Sequence, residues 1–372
     1  MYVYTYFHAY VHFFNMRLTC IRNAAPRLMK TLKPIDNKPG LISYADIHAY
    51  TSLWIWPKMM ASARDLFCPK YASSHWSHKQ LQGTASECLS IAPVLKKYFK
   101  DVVANTAIGA KFHTEIASLL ACIDALETLQ YTARVPTSPK LLEQRIMDHL
   151  TKYQRAYGTH GWVWKHHASI HLPMQLATHG QLHSCFTQER RHKLVRKYTN
   201  DRKTLQSYDV GVIEDCLVQQ LFDIRRLDVL RIGLVDARDP SRKELRAVES
   251  LDPVLDTDVI KMSLVANVNG SRMKRGDVVI LKSGSAPADA VDPAGLCAGE
   301  LWFLYERNGT PTTCISLWQF VDCDGFCMRV RIRETVLKAI PLVCLQCAVV
   351  HKRSNDGVCT IVLPPPYRST LT

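Results

Sequence analysis

A chain of 372 residues with 47% hydrophobic and 22% charged residues is long enough for two cores and too apolar for a disordered polymer. Its 47 Lys and Arg against 33 Asp and Glu leave a formal charge of +14. That excess favours a polyanionic partner, nucleic acid before membrane, because phosphates attract these cations and release counterions on contact. The 13 cysteines, odd in number and scattered over the whole length, exclude a small secreted disulfide scaffold and point to a reducing interior.

The first residues, MYVYTYFHAYVHFFNM, lack the basic start and small-residue cleavage site of a signal peptide. Arg17 ends this run short of the ~18 to 20 apolar residues that a membrane span needs. It reads as a buried helix or strand that begins abruptly, as if the chain had lost what came before. In YADIHAYTSLWIWPKMM, residues Tyr44, Ile47, Leu53, Trp54 and Trp56 predict a helix packed on one apolar side until Pro57 stops it. Thr84 and Ser86 precede ECLSIAPVLKKYF, where Leu89, Ile91, Val94, Leu95 and Phe99 have the spacing of a mostly buried helix. Glu87, the third residue after Thr84, fits a capping box, with a metal-binding carboxylate as its other reading.

From Thr114 to Tyr131 the apolar residues Ile116, Leu119, Leu120, Ile123, Leu126 and Leu129 recur at three and four, and Thr114 can cap this helix. A further helix runs over LLEQRIMDHLTKYQRAYG, with Leu142, Ile146, Leu150 and Tyr153 on one face and Gly158 as its stop. Residues 1–225 are thus expected to be mainly helical. Residues 226–258 mix acids and bases with Pro240 and Pro253 and read as a solvated linker.

Over 259–366 the pattern changes to period two. The runs VIKMSLVANV, GDVVILK, GELWFLYE, TCISLWQFV, FCMRVRI and GVCTIVL are divided by turn dipeptides such as Asn269-Gly270, Asn308-Gly309 and Asp324-Gly325. They predict a small antiparallel β-barrel, SH3-like in architecture. Its aromatic residues Trp302, Phe303, Tyr305, Trp318 and Phe320 are expected in the core, with a peptide- or chromatin-binding surface as the alternative. The expected fold class is therefore α+β.

His167 and His171 stand four apart, as do His179 and His183, a spacing that puts two imidazoles on one helical face. No HExxH accompanies them, so buried hydrogen-bonding or phosphate-facing roles are expected before zinc. Cys323 and Cys327, followed by Cys344 and Cys347, come close to zinc-ribbon spacing, but strand alternation should point the second pair to opposite faces. GxGxxG, GxxxxGK[ST] and GxSxG are all absent, so nucleotide loops and a nucleophile elbow are not indicated.

If Phe186 to Tyr198 is a helix, Leu194, Val195 and Tyr198 fall on one side and Glu189, Lys193, Arg196 and Lys197 on the other. Glu189 then reads either as the acid of an i,i+4 pair with Lys193 on a solvated face or as a metal-binding carboxylate among phosphate-holding cations. The run KHHASIHLPMQLATHGQLHSCFTQERRHKLVRKY resembles a segment of CACTA-type (En/Spm-like) transposases. There the order is a histidine, Leu-His-Leu-Pro, a Gly turn, then Phe/Thr-x-Glu-Arg and a Lys-rich helix. In this chain His167, Ile170-His171-Leu172-Pro173, Gly180, Thr187-Gln188-Glu189-Arg190, Lys193 and Lys197 hold those places. GTASECLSIAPVLKKYF and YADIHAYTSLWIWPK are similar to upstream parts of such proteins, so the likeness covers about residues 4 to 222.

The resemblance implies an RNase H-like core interrupted by a helical insertion, with two early aspartates and a late glutamate binding Mg²⁺ for strand cleavage and transfer. Glu189 matches that glutamate. No acid precedes Asp36, so the aspartates are expected to be missing and the chain to be a truncated relic that cannot cut strands. What remains is expected to bind DNA in the nucleus through Arg190, Lys193, Arg196, Lys197, Lys165, His167 and His171, with no membrane association and with a possible protein partner at the barrel.

Overall fold

The computed structural model describes residues 44–68, 70–71, 83–132, 137–159, 162, 164–180, 182, 198, 208–225, 232–251, 258–268, 271–282, 290–324, 326–332, 337–364 and 367. The fold is α+β with antiparallel sheets, in two compact units. A helical unit comprises Met1–Ala49, Leu66–Arg226 and Leu371–Thr372, and a β-rich unit comprises Tyr50–Asp65 and Leu227–Thr370.

The helices in chain order are α1 (Tyr44–Ser52), α2 (Ala61–Arg64), α3 (Ala85–Lys97), α4 (Ala107–Lys111), α5 (His113–Thr132), α6 (Pro139–Tyr157), α7 (Trp164–Ser169), α8 (Leu172–His179), α9 (Tyr208–Arg225) and α10 (Arg242–Glu249). Thr84 and Glu87 form the capping box of α3: Glu87 N donates to Thr84 Oγ1 at 3.3 Å, and Thr84 N donates to Glu87 Oε2 at 2.8 Å. Two donors at the helix start are satisfied this way, and Glu87 has a structural role. Thr114 is not a cap. Ile116 N already donates to Phe112 O at 3.0 Å, so the first turn of α5 begins before it.

α5 is buried almost all round, through Ile116, Leu119, Ile123, Leu126 and Leu129 on one side and Ala121, Cys122 and Ala125 on others. A helix apolar on every side belongs in the middle of a packed unit. Two of its acids, Asp124 and Glu127, meet Lys96 of α3 at 2.5 and 2.7 Å, and Lys96 and Glu127 are both buried. α6 starts with Pro139 in its first turn, where the missing N–H costs nothing, and ends at Gly158, whose φ is +65°. Among the described residues no helix is long and apolar enough to cross a membrane.

The helix expected to reach Pro57 ends at Ser52 instead. Residues Leu53, Trp54, Ile55 and Trp56 then alternate exposed, buried, exposed, buried, the period of extended chain. Ile55 pairs with His351 in an antiparallel bridge, its N donating to His351 O at 2.7 Å and its O accepting from His351 N at 3.1 Å. Three residues on, Lys58 N donates to Asp277 Oδ1 at 3.1 Å, while Lys274 N donates to Oδ2 of the same buried carboxylate at 2.8 Å. Asp277 therefore clips an early segment of the chain onto the β-rich unit. Asp277→Ala leaves two backbone donors short of an acceptor and is expected to destabilise this unit by about 2 kcal/mol in urea titration. A variant as stable as the parent would refute the clip.

The strands are β1 (Gly233–Val235), β2 (Ile260–Ser263), β3 (Val265–Val268), β4 (Ser271–Lys274), β5 (Val278–Lys282), β6 (Leu296–Arg307), β7 (Thr310–Leu317), β8 (Gln319–Cys323), β9 (Cys327–Arg331), β10 (Leu337–Pro341), β11 (Leu345–Ala348), β12 (His351–Arg353) and β13 (Val358–Val362). They form three antiparallel sheets of order β1-β3-β4, β10-β7-β6-β5-β11 with β2 also on β6, and β12-β13-β9-β8. Among the described residues none closes, which corrects the expected barrel.

The reason lies in β5. Val279 and Leu281 enter one core with Ala266, Met273, Leu301 and Ile315, whereas Val278 and Ile280 enter a second with Trp318, Met328, Val330 and Ile361. The six-stranded sheet is thus a middle layer with both faces covered, and a sheet buried on both sides reads as continuous apolar runs. Gly299 allows the close β6–β7 approach, since a Cβ there would lie 2.4 Å from Ser316 O. Asn308-Gly309, with φ of 51° and 80°, makes the tight turn between these strands.

The expected linker is also corrected. Within 226–258, β1 pairs with β3, and α10 carries a Ser241–Glu244 capping box. Leu245 and Val248 of α10 pack with Ile260, Met262 and Tyr305, a stripe that alternating charges had hidden. Of the five aromatics expected in the core, Tyr305 and Trp318 are fully buried, Phe303 and Phe320 are half-buried, and Trp302 is 43% exposed. Trp302 sits where the β6–β7 register shifts, so a bulge turns it outward.

Candidate nucleic-acid interface

The segment singled out by sequence meets the described structure at α7 and α8. Glu189, Arg190, Lys193, Arg196 and Lys197 lie outside the described residues, as does His183; the expectations placed on them stand on sequence. Lys165 is the second residue of α7.

Beneath α7, the buried rings of His149, Tyr153 and His166 gather, with Tyr153 and His166 centroids 4.7 Å apart and His149 and His166 centroids 6.3 Å apart. This stack anchors α7 against α6. Residues one step round the helix then face solvent. His167 and His171 are both exposed, their Nε2 atoms 3.4 Å apart and their rings near perpendicular at 82°. The structure therefore corrects the buried role expected of these two histidines and leaves the phosphate-facing role geometrically open.

Ile170, Met174, Thr178 and His179 are also exposed along this side, so it is rich in imidazole and apolar surface. Two imidazole nitrogens at that separation make half of a tetrahedral zinc site, which needs four ligands. Among the described residues no three of His, Cys, Asp and Glu come together as a metal site. Cys344 packs against the first core of the β-rich unit, and Cys347 and Cys323 against the second, so the ribbon-like spacing does not converge. The described part of the chain thus offers Mg²⁺ no carboxylate triad.

Strand register gathers a row of charged side chains that the linear pattern had hidden. On the outer side of the β12-β13-β9-β8 sheet, Lys352, Thr360, Arg329 and Asp322 are successive cross-strand neighbours. The adjacent row is Val358, Arg331 and Gln319. Arg329 Nε donates to Asp322 Oδ1 at 2.6 Å and holds that carboxyl below its ordinary range. Lys352, Arg329 and Arg331 share this face, both arginines are exposed, and Asp322, Asp324 and Asp356 all act on Arg329, so the cations are balanced by carboxylates rather than left in excess. The signal was present in FCMRVRI, where arginines alternate with Met328 and Val330; only the register shows that Lys352 joins them.

Comparison of the chain with family models, curated proteins and solved structures returned no match.

Proposed function

We propose that the chain is a DNA-binding protein of CACTA-transposase descent that acts in the nucleus and holds phosphates without strong sequence preference. The observation that carries this reading is the density of cations from Arg190 to Lys197, where Arg190, Arg191, Lys193, Arg196 and Lys197 follow the transposase-like histidine run within a chain of charge +14. Five cations around one acid raise the local potential far more than the same charges spread over a surface. A partial RNase H-like core, with Glu189 as its late carboxylate, belongs to the same proposal through the resemblance alone.

Phosphate binding has a distinct thermodynamic signature. Affinity for unrelated duplexes is expected to fall steeply and equally with salt. Joint reversal of Lys193, Arg196 and Lys197 to Glu is expected to weaken binding to all sequences and to lower the salt slope by about one per lost contact. Unmeasurable binding at low salt, or a variant that binds like the parent, sinks the proposal. Cleavage lies outside it: plasmid nicking in Mg²⁺ that Glu189→Ala abolishes would make the chain an enzyme instead.

A second reading takes the β-rich unit as a peptide- or chromatin-binding surface. The outward Trp302 favours it, because an exposed indole offers a large apolar contact with a hydrogen-bond donor. Peptide capture by the full chain that Trp302→Ala removes, without DNA affinity, would select this reading.

A further inference from the structure

α9 turns its more apolar side away from the unit that carries it. At 100° per residue, Val212 and Gln219 share one side; Val212 is buried, and Gln219 Oε1 accepts from Tyr198 Oη at 3.3 Å. The opposite side carries Val210, Ile213, Leu217 and Leu221, with Val218 at its flank, and these five are 51–66% exposed. A solvent-facing helix ordinarily shows the reverse arrangement.

The order of the stripe is symmetric about Leu217. Ile213 and Leu221 stand four residues to either side, and Val210 and, by sequence, Ile224 stand seven to either side. Such a pattern complements itself when two copies run antiparallel about a two-fold axis, the isologous contact of most homodimers. Five half-exposed apolar side chains amount to on the order of 500 Å² per chain, near the upper end of a monomer's largest patch. Two such faces together reach the ~1,000 Å² at which specific association begins.

Charge narrows the choice of partner. α9 contains Asp209, Glu214, Asp215 and Asp223 against one cation, Arg225, and the exposed Glu214 falls between Leu221 and Val218 around the helix. A polyanion is repelled here, so this side is distinct in kind from the DNA-facing surface. We infer that α9 docks on α9 of a second copy, antiparallel, with Leu217 at the axis. In that register Ile213 meets Leu221 of the other copy, and the two Glu214 residues are separated by about 9 Å along the helices at 1.5 Å per residue. A parallel pair would set the same carboxylates abreast.

Sedimentation velocity of the full chain over a wide concentration range tests this. Wild type is expected to pass from monomer to dimer, and Leu217→Glu, which puts two carboxylates at the axis, is expected to weaken the dimer by about tenfold or more. Because Leu217 is exposed, helix content by circular dichroism should be unchanged. Under mild oxidation Leu217→Cys should form a linked dimer, mapped by peptide mass at residue 217 and read against wild type, whereas Val210→Cys should not. A monomer at every concentration, a Leu217→Glu dimer as tight as wild type, or equal linkage at both positions overturns the inference.

Discussion

Replacing Lys96 by methionine is expected to destabilise the helical unit by about 3 to 5 kcal/mol, the range for removing one partner of a buried ion pair. The reason is geometric. Lys96 Nζ lies 2.7 Å from Glu127 Oε2 and 2.5 Å from Asp124 Oδ1, and Glu127 is almost fully buried on α5. Asp124 keeps some access to water and a distant Arg145 at 3.8 Å, so it tolerates the loss better than Glu127. The cost is therefore that of breaking an ion pair whose two members are both buried.

The double variant Lys96→Met/Glu127→Leu is expected to regain most of the lost stability, because buried pairs exchanged for apolar groups of like volume are often neutral or better. Urea-induced loss of helical circular dichroism measures both. If the single variant costs under about 1 kcal/mol, the range of exposed pairs, the network is not buried in solution. If the double variant is worse than the single one, packing rather than charge accounts for the loss.

The second large effect is an acid sensitivity of the β-rich unit centred on His351. This residue is buried beside Trp318, with ring centroids 6.2 Å apart, and neither ring nitrogen has a partner at hydrogen-bond geometry. Burial pushes its imidazole from 6.5 down to about 4, and the Arg353 guanidinium adds to this while the Val349 backbone opposes it. Arg353 itself lies over Trp318 at 5.7 Å and pairs with Glu300 at 2.9 Å, so its charge is held near the ring.

Because the folded pKa is depressed, the unfolded chain binds the extra proton between pH 6.5 and about 4. Stability is then intact above 6.5 and falls as the pH drops towards 4. A shift from 6.5 to about 4 corresponds to about 3 kcal/mol at 1.36 kcal/mol per unit. His351→Leu, of similar volume, should remove this loss and leave stability at neutral pH close to that of the parent.

The window separates His351 from the carboxylates. Glu244 is held down from 4.5 to about 2 by the hydrogen bond from Arg238 and by the Ser241 backbone, so its contribution vanishes only below 4.5. Unfolding free energy measured at pH 7 and at pH 5 should therefore differ in the parent and agree in His351→Leu. A parent with no loss between those values, or a variant that loses as much, rejects the assignment.

Much of the helical unit was legible because its signals are local. The α3 capping box needs Thr84 and Glu87 three apart, and the buried faces of α5 and α6 repeat at three and four, distances a window of a dozen residues contains. The same window misread residues 53–56. Trp54 and Trp56 stand two apart, the spacing of one side of a strand and not of a helix face, and the bridge to His351 holds this stretch extended. The candidate site was legible in part: sequence grouped the cations after Glu189 and set His167 and His171 four apart, while only the structure shows that these two rings are exposed.

The sequence by itself determined the α+β class, the helical first part, the strand-forming later part and the excess of positive charge, since each follows from residue type and near-neighbour spacing. Tertiary structure alone decided that β5 is covered on both faces, that Asp277 holds Lys58, that Lys352 stands beside Arg329 across β13 and that α9 faces outward. Those outcomes depend on contacts between residues tens to hundreds of positions apart, such as Lys58 and Asp277, whose cost in chain entropy and gain in burial no local pattern records.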